Sequence, residues 1–500
     1  MKRILSLFGL VFLLMNTIGC STSSNVAKKV DDNVIQLNVL QINDVYEITP
    51  VNGQGGLAKV ATLRNQLKAE NPNTISVIAG DFFSPSAIGT AKVNGERLAG
   101  KQMVATLNAM GLDYATFGNH EFDLKADQFA ARMGESKFKW VSANCMDANS
   151  KSAFTNVPDH HIYQVVQVTN GKEKKLKVGI FGVTLDKNQP PYVSISDYLA
   201  AARDQVRTLR PQVDILIALT HLELSQDITL AQELPEIDLI MGGHEHENII
   251  VKRGADMTPI TKADANAHTV YVHRFSFNTQ TRKLSLKSEL VPVTNDILDD
   301  PAVAAVANEW TEKGFSGFRA EGFEPTRIAG KIRENLDGTE ASVRNKQTNM
   351  GAVIAEGMMQ VVPNAVAGIF NSGSIRLDDY LSAGDVSEYD VIRVLPFGGE
   401  VLSVAVKGSM LKKLLNQGME SNGKGAYLQY TRIRKDADGW KINGNLVDDN
   451  ATYTIATSDY LATGKEFGMD FFNVTANNPD VKQLGKFGDI RKAMIQRLQR

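Results

Sequence analysis

From Val34 onward, short apolar runs alternate with longer stretches of helical period, and each apolar run stops at a polar cluster. The run 34–42 ends at Asn43-Asp44, the run 74–78 at Gly80-Asp81, and the run 114–117 at Gly118-Asn119-His120. Two more follow: 213–219 ends at His221, and 237–241 at Gly242-Gly243-His244. Helical spacing of apolar residues over 57–69 and 97–110 fills the gaps, so the pattern predicts an α/β sheet. Ligands of such sheets collect at the carboxyl ends of the strands, where these polar clusters lie. Strand-like alternation over 269–293 gives way to a predicted helix over 301–313, and the Gly-containing stretch 314–324 reads as a connector. The remainder predicts helices at 349–361 and 407–417 and a strand at 453–456, enough for a second, smaller α/β domain. No short-period repeat or low-complexity tract interrupts this plan.

A length of 500 residues is about three times that of a typical domain, so two or more domains and a deep cleft are available. Hydrophobic residues at 43%, charged residues at 22% and 15 prolines describe an ordinary globular chain. The balance of 54 basic and 56 acidic residues, formally −2, offers no field for an extended phosphate backbone, which argues against a nucleic-acid polymer as partner. The two cysteines, Cys20 and Cys145, cannot build a disulfide framework.

The first twenty residues change the picture of where the protein works. Lys2 and Arg3 precede an apolar run, 4–15, too short to span a bilayer comfortably, and the small polar tether Ser21-Thr22-Ser23-Ser24-Asn25 follows Cys20. This reads as an export signal. Thr17-Ile18-Gly19-Cys20 resembles the lipobox of bacterial lipoproteins, which implies acylation of Cys20 and a protein held to the membrane by lipid, on the periplasmic or cell-surface side. Ordinary cleavage nearby is the alternative. Cys145 then reads as a small buried hydrophobe.

The strand-end residues form one chemical set: Asp44, Tyr46, Asp81, Asn119, His120, Asp123, His221, His244 and His246, including four of the eight histidines. Carboxylate, amide oxygen and imidazole are ligands for Mn, Zn, Fe and similar divalent ions. Two such ions would polarise a phosphoryl oxygen and clamp the attacking and leaving oxygens of an in-line displacement. Singly, a Gly-Asp or a strand-end histidine is as readily a turn or a satisfied core group.

In this order, the set resembles the calcineurin-like metallophosphoesterases, with their series D-x-H, G-D, G-N-H-[ED], H and G-H-x-H, and Phe122-Asp123 narrows the resemblance to the 5′-nucleotidase family. The resemblance implies a four-layer β-sandwich with flanking helices over 34–298, a linker helix over 299–324 and an α/β substrate-binding domain over 325–500, after a signal at 1–20 and a tether at 21–33. It implies two divalent ions (Mn, Zn, Co or Fe): Asp44 and His246 on the first, Asn119, His221 and His244 on the second, and Asp81 bridging. His120 is then free of metal and placed to protonate the leaving oxygen, with Asp123 holding its other nitrogen. The alternative for His120 is a fourth imidazole ligand. Tyr46 stands where the family has histidine; it either binds a hard ion as phenolate or points away and leaves its place to water.

In the second domain, Asn371-Ser372-Gly373-Ser374-Ile375-Arg376 resembles the family's N-x-G-x-x-R, and Leu395-Pro396-Phe397-Gly398 its L-P-F-G. This implies phosphate contacts from Arg376 and Arg344, a base contact from Asn371, and stacking by Phe397. Phe467 is the choice for a second stacking ring, with Tyr460 and Phe471 as neighbours in an altered loop; core packing for Phe397 and a surface ion pair for Arg376 are the alternatives. The expectation is an exported phosphohydrolase that converts 5′-nucleotides to nucleosides. The competing expectations are a nucleotide-sugar pyrophosphatase, a 2′,3′-cyclic phosphodiesterase, and a catalytically weak nucleotide-binding lipoprotein. Nothing in the sequence speaks to oligomeric state.

Overall fold

The computed structural model describes residues 32–500 apart from 170 and 477. The export signal, Cys20 and nearly all of the tether lie outside the described residues.

Strand Val34–Ile42 organises the first unit. It runs parallel to Thr74–Ala79, which in turn pairs in parallel with Tyr114–Thr116, and antiparallel to Thr269–Asn278. With Leu284–Pro292 and Lys139–Trp140 at the edges these make a six-stranded sheet. A second six-stranded sheet is ordered Ile249–Arg253, Thr258–Lys262, Leu239–Met241, Ile215–His221, Lys172–Thr184, His160–Thr169. Because strand side chains alternate, Ile35, Leu37 and Val39 enter the core between the two sheets, packing with Ile180, Ile217 and Leu239. Leu40 and Ile42 point the other way, to helices Leu57–Glu70 and Lys101–Met110. Helices Tyr198–Leu209 and Leu224–Glu233 cover the outer face of the second sheet. The result is helix, sheet, sheet, helix, the four layers expected. Gln41 ties the sheets together at their carboxyl ends, its Nε2 donating to Gly242 O at 3.1 Å and Thr261 O at 2.9 Å.

Two predicted boundaries move, each for a local reason. The helix expected over 97–110 begins at Lys101, because Ala99 (φ 45°) and Gly100 (φ 84°) are left-handed and cannot continue a helix backward. The helix expected to end at 313 runs Pro301–Ala320, straight through the supposed connector. Gly314 and Gly317 serve close packing there: a Cβ on Gly317 would lie 2.6 Å from Lys92 O, and one on Gly314 3.0 Å from Ile88. The long hairpin His160–Thr169 and Lys172–Thr184 carried no clear sequence signal, since lysines occupy the start of its second strand.

The second unit centres on a five-stranded sheet, ordered Leu428–Thr431, Ala367–Asn371, Thr452–Ser458, Glu400–Lys407, Val481–Asp489. Helices Asn349–Val361 and Ile490–Leu498 pack on one face and Gly408–Glu420 on the other. The first of these cores is shared: Ile88 and Leu98 of the first unit and Phe318 of the long helix pack with Met350 and Ile354. Buried Glu47 adds a polar tie, accepting from Tyr389 Oη at 2.9 Å across the junction. Among the described residues no helix is long and apolar enough to cross a membrane.

Candidate active site

Five parallel strands end together, and the turns that follow are strained. Asp44 (φ 52°), Asp81 (φ 57°) and His244 (φ 83°) all adopt left-handed backbone, which costs on the order of 1–3 kcal/mol per non-glycine residue and persists only where surroundings enforce it. Glycine clears the approach: a Cβ on Gly118 would lie 2.1 Å from Asp81 Oδ1, and one on Gly243 2.3 Å from Ala79 O. Glu121, fully buried, accepts from the backbone N–H of Asp81 (2.8 Å), Phe82 (2.7 Å), Phe83 (3.1 Å) and Gly118 (2.6 Å). It thereby fastens the Asp81 turn to the Asn119 turn. Burial and the nearby Asp81 charge push its carboxyl up to about 7, against the pull of those N–H groups.

Asp81 lies at the centre. Its Oδ1 accepts from His120 N at 2.7 Å, and its Oδ2 lies 3.1 Å from His221 Nε2. Burial pushes the Asp81 carboxyl up, but His221 and His120 outweigh it and hold the group well below the usual range. Ligand atoms of Asp81, His221 and His244 all fall within 4.8 Å of one another. Asp44, held by Asn43 Nδ2 at 2.8 Å and His244 N at 3.0 Å, brings Oδ1 to 3.7 Å from His246 Nε2. Burial raises the Asp44 carboxyl, with His221 and His246 pulling it back.

This donor set fits divalent cations. Among the described residues Asn119 Oδ1 is buried with no hydrogen-bond partner, an expensive condition unless something else satisfies it, and buried His221 Nε2 meets only the Asp81 carboxylate. His221 Nδ1 lies 2.8 Å from Ala79 O, so its N–H donates there and Nε2 is the atom turned to Asp81; burial lowers the ring's pKa, but the Asp81 carboxylate prevails and raises it to about 9. Burial, reinforced by His221 and Lys187, lowers His244 to about 2, leaving its ring neutral.

Tyr46 does not point away. Only 8% exposed, it directs its hydroxyl to 3.0 Å from His246 Nε2, 3.4 Å from Asp81 Oδ2 and 3.5 Å from Asp44 Oδ1. Burial and the Asp81 and Asp44 carboxylates raise its pKa well above that of a free phenol, so the group is a neutral hydroxyl until a cation offsets those charges.

His120 Nδ1 lies 2.8 Å from Asp123 Oδ2. Asp123 is itself fixed by Ser84 Oγ at 2.9 Å and Asn188 Nδ2 at 2.6 Å, which sets the imidazole orientation on a ring that lines the cleft. Burial lowers the His120 pKa, but the Asp81 and Asp123 carboxylates prevail and raise it.

A support residue escaped the sequence reading. Lys262, wholly buried, donates to Leu222 O at 2.6 Å and Gly243 O at 2.8 Å and pairs with Asp227 at 2.9 Å and with Glu245. It holds the backbone after His221 and before His244. Its only signal was a charge at the end of an apolar strand, Thr258–Lys262.

The second unit closes the cleft. A narrow space between units is lined by Tyr46, His120, His246, Arg376 and Asp378, and a wider one of about 720 Å³ by Asp81, His120, His244, His246 and Arg344. Arg376 and Arg344 therefore face the metal-type residues. Arg376 stacks its guanidinium 5.5 Å over the Phe397 ring and leaves a buried Nε without a partner, so it is no surface ion pair. Phe397 is 44% exposed and Phe467 63% exposed, so neither is core packing; Phe471 packs against the core, and Tyr460 is half-exposed. Asn371 is not brought to the cleft: it is buried, and its Oδ1 accepts from Ser374 Oγ at 2.9 Å. Cys145 is buried as expected, and burial pushes its thiol up to about 11.

Two family models match the chain: the calcineurin-like phosphoesterase over 37–248 and the 5′-nucleotidase C-terminal domain over 328–473. Among curated relatives, the trifunctional nucleotide phosphoesterase protein YfkN of Bacillus subtilis is 27% identical over 90% of this chain, which spans about a third (33%) of that longer protein. The 5′-nucleotidase of Vibrio cholerae is 25% identical, covering 90% of this chain and 89% of its own length. Protein UshA of Escherichia coli is 25% identical over 98% and 96%. A solved 5′-nucleotidase precursor from Thermus thermophilus superposes with a TM-score of 0.70 at 21% identity, covering 93% of this chain and 96% of that one, which shows a shared fold.

Proposed function

We propose, from the premise that the chain belongs to the 5′-nucleotidase family of calcineurin-like phosphoesterases and is a metal-dependent phosphoester hydrolase, that it releases phosphate from 5′-nucleotides outside the cytoplasm. The observation that carries this reading is one cleft lined by metal-type residues of one unit, His120, and Arg376 and Arg344 of the other. Asp44 and His246 would hold a first ion, Asn119, His221 and His244 a second, with Asp81 shared and the Tyr46 hydroxyl adjoining the first. When bound, the ions supply polarisation of the phosphoryl group and activation of water.

The protein groups do the rest. Arg376 and Arg344 grip phosphate oxygens, Arg376 being backed by the Phe397 ring. His120, its Nδ1 fixed by Asp123, delivers a proton from Nε2 to the departing ribose oxygen. Phe397, exposed against the Arg376 guanidinium, and Phe467, exposed beside Lys424, suit contact with a nucleobase. The working division is a catalytic domain over 34–298, a linker over 299–324 and a recognition domain over 325–500.

Cys20 as a lipid anchor would hold the protein by the amino end of strand Val34–Ile42. Hydrolysis of AMP, UDP-glucose and 2′,3′-cyclic AMP, measured side by side by phosphate release and by chromatography of the nucleotide products, tests the substrate class. AMP is expected to be preferred; faster cleavage of UDP-glucose to UMP and glucose 1-phosphate, or of the cyclic ester to a nucleoside monophosphate, would overturn it.

A further inference from the structure

We infer that Asp378 of the second unit is a positioning residue for His246, so that the first metal position is completed by a carboxylate from across the cleft. This rests on the dinuclear reading above and extends it to a residue outside every motif that pointed there.

His246 is held from both sides. Its Nε2 faces the first unit, 3.7 Å from Asp44 Oδ1 and 3.0 Å from Tyr46 Oη. Its Nδ1 contacts the Asp378 carboxylate, more than a hundred residues along the chain and in the other unit. Asp378 is poised by its own surroundings: Oδ1 accepts from Glu340 N at 2.5 Å, and its backbone is left-handed, φ 43°. The neighbouring acid is spent elsewhere, Asp379 Oδ2 accepting from Asn52 Nδ2 at 3.2 Å.

A carboxylate on the far nitrogen of a ligating histidine fixes the tautomer, orients the ring and raises the basicity of the nitrogen that faces the metal. Here the carboxylate shares a turn with Arg376, two residues earlier, so one turn of the second unit carries both the guanidinium that would meet the substrate phosphate and the carboxylate that orients His246. With tyrosine at position 46, His246 is the imidazole whose ring nitrogen lies 3.7 Å from Asp44 Oδ1, so its orientation matters to this position.

The test uses the metal alone. Mn(II) affinity of the whole protein is measured by competition with a chromophoric chelator for the wild type, D378A, D378N, R376A, H246A and the double variant H246A/D378A, each checked by thermal melting. Two equivalents are expected in the wild type. D378A should weaken one of them about 10- to 100-fold and spare the other. D378N, whose side-chain oxygen still accepts from Nδ1–H, should fall between. R376A, on the same turn, should keep both affinities, and the double variant should match H246A alone, because Asp378 acts through that ring. Unchanged affinities in D378A, equal weakening of both equivalents, loss in R376A to the same extent, or additive effects in the double variant would each overturn the role of Asp378. Fewer than two equivalents in the wild type would overturn the dinuclear reading itself, and this inference with it.

Discussion

Replacing Glu121 by glutamine changes one atom in a fully buried side chain and sets a donor against donors. The two carboxylate oxygens divide four backbone N–H groups between them: Oε1 takes Phe82 and Phe83, Oε2 takes Asp81 and Gly118. Glutamine has one oxygen, so whichever way its amide is turned, two of the four N–H groups face an NH₂ at hydrogen-bond distance. A buried unsatisfied donor costs roughly 1–3 kcal/mol, so E121Q should destabilise the first unit by about 2–6 kcal/mol. At about 2–4 °C per kcal/mol for a unit of this size, the melting temperature should fall by at least several degrees. Hydrogen exchange should quicken at the amides of Asp81, Phe82, Phe83 and Gly118, and the Asp81 and Asn119 turns should loosen, lowering metal content. A melting temperature within a degree of wild type, with protection at those four amides unchanged, would refute the reasoning.

H120A should lose about 10²- to 10⁴-fold in turnover while retaining its metals by elemental analysis; unchanged turnover would remove His120 from proton transfer. F467A should raise KM for AMP by about 5- to 150-fold, the worth of about 1–3 kcal/mol of base stacking, and leave KM for glycerol phosphate unaltered, while F397A, which also removes the ring backing Arg376, should raise KM for AMP more than that for glycerol phosphate. Equal effects on both esters would mean that the rings do not meet the base. Cys145, with its thiol pushed up to about 11 by burial, is protonated at pH 8 and should resist iodoacetamide in the native protein, then react on unfolding; peptide mapping showing rapid native modification would contradict its burial.

Much of the catalytic unit is legible in the sequence because the chemistry falls at strand ends. Asp44, Asp81, Asn119, His221 and His244 each follow an apolar run whose period is that of a strand, and parallel pairing brings run ends together. What was not legible depends on contacts across the fold. Lys262 acquires its role from Leu222 O and Gly243 O, and Asp378 from His246, and neither contact leaves a trace in local spacing. The helix runs past the end that periodicity predicts at 313, through Gly314 and Gly317, as the linker helix of the resemblance allows; glycine usually interrupts helices, and here the missing Cβ admits Ile88 and Lys92. Tyr46 could be read two ways from its position alone, and only the distances to Asp81 and His246 turn it inward. Asn371 matched a motif yet is buried against Ser374, since a turn motif specifies backbone shape before it specifies what the side chain meets.

The most direct test of the central claim is phosphate release from AMP followed as metal-free protein is titrated with Mn(II), with bound metal counted in the same samples. The account predicts negligible release without metal and full turnover only as the second equivalent binds. Full turnover with one equivalent, or in the presence of excess chelator, would contradict it.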